Sequence, residues 1–279
     1  MARSMKILGT LLLFLLIYAF SQIMSLQLIV WISGFEVGHI MANSFLFMLS
    51  YLSAMSLSLA LVSLWSKIRG NKSAKIECSK LGFSPTYILM GVIMLLMLAI
   101  VLLPLQEIIP ADQRVFPRGG WTLITVVFLA PIFEELLFRV KLYDMMLRDM
   151  TPFWSVMFTS LCFGVVHLEP IVVVEATLSG VIFSYFYIQR HSIFSPIILH
   201  MINNALAYLM LMMKYQERTA TDFILDSNLY GILYIISAVG VLFAAIKIVR
   251  RLRKQKFLLA YLSAEEVEVA ESGEADANK

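Results

Sequence analysis

Charge, cysteine and histidine are all scarce in this chain. It has two cysteines among 279 residues. Cys78 lies in a basic stretch and Cys162 in an apolar one, a spacing that excludes a disulfide framework and a cysteine-based metal site. Charged residues make up 15% of the chain against 60% hydrophobic, which excludes an ordinary soluble domain. The four histidines include no His-Glu-x-x-His pair, so the usual helix-borne zinc-protease motif is missing. There is no internal repeat and no low-complexity tract, and nothing in the basic clusters indicates nucleic acid.

What the chain does have is long apolar runs. Several reach 18 residues or more, the signature of membrane-spanning helices. The expected fold is all-α, a polytopic membrane protein of about eight transmembrane helices. They fall near 7–32, 43–66, 85–105, 121–147, 151–168, 171–188, 195–213 and 229–249. Thr151 with Pro152, and Pro196, supply helix-start signals. Pro110, Pro117, Gly119 and Gly120 break the chain before the fourth helix. In outline, 1–80 holds two N-terminal helices and a basic loop, 81–256 the membrane core, and 257–279 an acidic tail expected to be disordered.

Eight spans with a cytoplasmic N-terminus put Arg3, Lys6, Lys67, Arg69, Lys72, Lys75, Lys80, Lys141, Arg148, Arg190 and the 247–256 cluster on one side. Only Arg114, Arg118, Lys214 and Arg218 fall on the other. By the positive-inside rule both termini are expected in the cytoplasm and the chain in the plasma membrane.

The fourth run is the exception to the apolar pattern. Ala130-Pro131-Ile132-Phe133-Glu134-Glu135-Leu136-Leu137-Phe138-Arg139 sets two carboxylates and a guanidinium at bilayer depth. Ionised groups there are expensive, and are paired, functional or both. On a helix Glu135 and Arg139 share a face and suit an ion pair. Glu134 points about 100° away and is left for another partner. Two further groups answer it: Phe163 with His167 at the end of the fifth run, and His200 with Asn204, four residues apart in the seventh. A lone intramembrane histidine is often no more than an interhelical hydrogen bond. The whole set supplies a base, a residue to orient it and donors for an oxyanion. Glu175 either lines a water path to the site or, the favoured reading, lies at the outer interface beside Glu169; His39 and His191 are read as solvent-side.

Glu134-Glu135-x-x-x-Arg139, Phe163-x-x-x-His167 and His200-x-x-x-Asn204, in that order, resemble the motifs of the CPBP intramembrane protease family, which includes type II CAAX prenyl proteases and bacterial Abi proteins linked to self-immunity. The resemblance covers roughly 121–211, with Gly180 and the run 189–196 between the motifs. It implies an intramembrane endopeptidase that hydrolyses a peptide bond in a membrane-anchored protein or peptide substrate, with membrane lipid as its surroundings. It implies that Glu134 and His167 activate a water, that His200 and Asn204 stabilise the oxyanion, and that Glu135, Arg139 and Phe163 support the site.

Two alternatives stay open. Glu134, His167 and His200 match a His2Glu zinc set with one open position, although the favoured expectation is no cofactor. The chain is otherwise a non-enzymatic membrane protein, an immunity factor or transporter-like subunit. One count also resists the picture. At the helical rise, His167 and Glu134 lie about 22 and 20 Å from the basic helix ends, and His200 only about 8 Å.

Overall fold

The structure, a computed structural model, describes residues 2–69, 84–109, 117, 119–190, 192–214 and 227–277. The expected basic loop residues Lys72, Lys75 and Lys80, together with Arg114, Arg118, Arg218 and His191, lie outside the described residues. Every regular element described is a helix: α1 (Ala2–Ser33), α2 (Val37–Ala42), α3 (Ser44–Ile68), α4 (Pro85–Ile108), α5 (120–147), α6 (Pro152–Val165), α7 (Pro170–Arg190), α8 (Phe194–Lys214) and α9 (Ser227–Ala277). The chain is an all-α, multi-pass membrane protein. By length and apolarity α1, α3, α4, α7, α8 and α9 each suffice to cross a bilayer. Length and apolarity alone thus pick out six of the expected eight. α5 is interrupted by charge and by irregular turns. α6 has 14 residues, a rod of about 21 Å, whereas a span needs about 20 residues.

The helix starts follow local chemistry. The Asn43 side chain accepts from the backbone amides of Phe45 and Leu46, at 3.0 and 3.2 Å, and so caps α3. Pro85, Pro152 and Pro170 open their helices, where no amide hydrogen is needed. Thr151 occupies the cap position before α6 in extended backbone, though its side chain makes no capping bond. Leu168 turns the chain from α6 to α7 with a left-handed φ of 66°, a strained state for a branched side chain. The acidic stretch expected to be disordered is helical as far as Ala277. Its alanines and glutamates are strong helix formers and extend a rod already under way.

One end of the bundle gathers the basic residues. Arg3 Nε donates to the Asp149 carbonyl at 2.8 Å, and Lys6 Nζ lies 2.7 Å from Asp149 Oδ1. Arg69 donates to Thr10 Oγ1 at 2.9 Å. Arg253 stacks over Phe153, 5.4 Å from the ring centre. The start of α1, the end of α3, the α5–α6 turn and the basic part of α9 therefore share one end. The outer faces of α1 and α9 carry exposed Leu16, Ile23, Ile235 and Leu242, the pattern of a lipid-facing surface. Inside, a run of edge-to-face rings leads from Phe14 of α1 to Phe138 of α5 at 5.3 Å and on to Phe163 of α6 at 5.2 Å. That run ends at the motif residues.

Candidate active site

α5 holds the acidic motif and is not a plain α-helix. Thr125–Leu129 and Leu136–Leu142 are π-helical turns on either side of Ala130–Glu135. Each such turn shifts the hydrogen-bond ladder by a residue and re-aims the side chains beyond it. The first has a visible use, because the Val126 carbonyl accepts from Asn204 Nδ2 of α8 at 3.0 Å. The second begins directly after Glu135 and carries Arg139.

Glu135 and Arg139 form the ion pair that their spacing suggests. Arg139 Nη1 lies 3.0 Å from Glu135 Oε1, with the side chains 1% and 0% exposed. Arg139 Nη2 also donates to the Gly180 carbonyl of α7 at 3.1 Å. The guanidinium lies over the Phe163 ring at 4.5 Å and near Phe183 at 5.6 Å, a cation–π arrangement. Gly180 leaves room for this approach. A Cβ at that position would come within 3.1 Å of both Arg139 Nη2 and the Phe163 ring.

His200 stands against both carboxylates. Its Nδ1 donates to Glu135 Oε1 at 2.9 Å, and its Nε2 lies 3.6 Å from Glu134 Oε2. The imidazole is stacked on Phe183 with centroids 4.8 Å apart, and Phe163 meets it edge-on at 5.5 Å. Glu134 is buried too, and its Oε1 accepts from the Tyr51 hydroxyl of α3 at 2.9 Å. Among the described residues Glu134 Oε2 takes no hydrogen bond.

His167 is placed differently from expectation. It sits in the turn after α6, half-buried, and its Nδ1 donates to the Phe163 carbonyl at 2.8 Å. Its ring contacts Phe163 at 5.1 Å, so Phe163 stands between the two histidines. Among the described residues no hydrogen bond or ion pair joins His167 to Glu134, and no group of three His, Cys, Asp or Glu side chains is arranged to hold a metal ion.

The depth conflict resolves through α8. His200 and Glu135 are in contact although their counts from the helix ends differ by about 10 Å. The segment entering α8 is itself buried: Ser192, Ile193 and Ser195 are all enclosed. α8 therefore starts well inside the bundle while α5 runs on past it. Gly91 of α4 permits this, since Leu199 packs onto the space where a Cβ would sit.

Tyr51, Phe183 and the Gly180 carbonyl are site components that the sequence did not single out. The available signal for Tyr51 was a lone phenol within an apolar run, which needs a partner when buried. Glu175, read as interfacial, is half-buried and accepts a hydrogen bond from Gln106 of α4.

Residues 117–206 match the Rce1-like family model, described as type II CAAX prenyl endopeptidase Rce1-like. The similarity is confined to this segment. It spans α5 to α8 and contains every residue of the three motifs. No curated protein and no solved structure matches the chain. Tyr51 comes from α3, before the Rce1-like segment, so the surroundings of Glu134 are completed by a helix that the match does not cover.

Proposed function

We propose that the protein is an intramembrane endopeptidase that hydrolyses a peptide bond in a membrane-associated protein, with Glu134 as general base and His200 as its imidazole partner. The observation that carries this reading is the approach of Glu134 Oε2 to His200 Nε2, 3.6 Å apart and shielded from solvent. Glu135 accepts from Nδ1, so a neutral ring would present its lone pair at Nε2. A carboxylate facing that lone pair is repelled unless a proton lies between them. A proton on Nε2 turns that repulsion into attraction.

With that proton on His200, Glu134 is a carboxylate and takes a proton from a bound water. The water oxygen bonds to the scissile carbonyl carbon, and the carbonyl electrons move onto oxygen. The imidazolium faces the developing oxyanion. Asn204, with one amide hydrogen spent on Val126, keeps a second for it. Collapse of the intermediate breaks the C–N bond, and Glu134 returns its proton to the leaving amine. Tyr51 holds Oε1 so that Oε2 points at the reacting centre. His167 has Nδ1 committed to Phe163 and keeps Nε2 for the substrate side. Glu135 and Arg139 act by position alone. Both termini are cytoplasmic in this reading, from the distribution of basic residues.

The test compares membrane proteins and released peptides from cells carrying the wild type or Glu134→Gln at equal folded abundance. A fragment present only with the wild type is expected. Identical fragment profiles would overturn the proposal.

A further inference from the structure

At the basic end, α4, α7 and α9 form a groove of about 560 Å³ that none of the site residues lines. Lys247, Arg250, Arg251 and Lys254 of α9 line it, and their spacing puts them on one helix face. Four like charges on one stripe repel one another. Among the described residues no carboxylate lines the groove to offset them. From α7, Gln189 adds a second observation: its Nε2 is buried at the groove and has no acceptor among the described residues. The site thus lacks anionic oxygen on two independent counts.

The apolar part of the groove says what carries that oxygen. Phe243 and Ile246 lie one turn back along the same face of α9, open to the lipid side, and Met90 of α4 faces them. Tyr87 and Tyr185 also line the groove, and such aromatic residues are enriched at headgroup level. Basic pockets between helix ends are suited to anionic lipid heads. A soluble phosphate would use the cations and leave the apolar wall unmatched.

We propose that this groove binds one anionic phospholipid, its phosphate on Arg250, Arg251 and Gln189 and an acyl chain along Phe243 and Ile246. The test uses the purified full chain, delipidated in neutral detergent and titrated with phosphatidylglycerol, phosphatidylcholine or glycerol 3-phosphate under native mass spectrometry. Retention of phosphatidylglycerol over phosphatidylcholine is expected. Arg250→Gln with Arg251→Gln should weaken it roughly thirtyfold, about fivefold for each surface charge. The control pair Lys67→Gln with Arg253→Gln removes equal charge from the same end and should leave binding unchanged. Phe243→Ala should weaken phosphatidylglycerol binding. Equal loss in the control pair, no preference for the anionic lipid, or displacement of the lipid by glycerol 3-phosphate would each overturn the proposal.

Discussion

Glu135 accepts a hydrogen bond from His200 Nδ1 at 2.9 Å, across 65 residues of sequence. The same oxygen faces Arg139 at 3.0 Å. One carboxylate therefore neutralises the guanidinium on its own helix and orients the imidazole on another. Glu135→Asp keeps the charge but is one methylene too short to serve both. Activity should fall by roughly 100-fold, within the range for a disturbed acid–base group, while the folded yield stays near that of the wild type. Unchanged turnover would show that the orientation of His200 does not depend on this contact.

Arg139 and Glu135 should be energetically coupled. Arg139→Leu leaves a buried carboxylate uncompensated, at a cost of about 3–5 kcal/mol, and should lower both thermal stability in detergent and yield. Adding Glu135→Gln removes the second charge and should recover stability relative to Arg139→Leu alone. Equal stabilities of the single and double variants would show no coupling.

Tyr51 gives a test of the α3 contribution. Tyr51→Phe deletes only the hydroxyl that holds Glu134 Oε1. A hydrogen bond to a charged group contributes about 1.5–3 kcal/mol, so kcat should drop roughly 10- to 100-fold with KM and folded yield unchanged. A change confined to KM would assign Tyr51 to substrate binding instead.

Two glycines permit the close packing of α6 and α7. At Gly164 an added Cβ would meet the Val173 carbonyl at 2.5 Å and also run into Thr177 Oγ1. At Gly180 the nearest atoms are side-chain ends at 3.1 Å. Gly164→Ala should therefore lose more folded protein than Gly180→Ala, whose overpacking penalty is about 1–3 kcal/mol. Gly180→Ala should also reduce activity by displacing Arg139. Comparison of detergent-solubilised yield and melting temperature decides the order.

Topology can be read with reporters inserted after Arg69, after Lys254 and after Gly119. The first two should report the same, cytoplasmic side, and the third the opposite one. Opposite readings at Arg69 and Lys254 would contradict the arrangement in which α3 and α9 end together.

The sequence alone determined what depends on composition and on spacing within one helix. Apolar runs of bilayer length specify a multi-pass helical protein, and the i,i+4 spacing brings Glu135 to Arg139 wherever α5 packs. The three motifs, by their order and separations, pointed to the protease family. Only the tertiary structure decided which imidazole faces Glu134, because that depends on how far α8 enters the bundle and on Phe163 standing between the two histidines. The same holds for Tyr51, 83 residues from its partner. Such contacts are set by helix offset and by close approaches at Gly91, Gly164 and Gly180. These act through space between helices, and no spacing within a single helix records them.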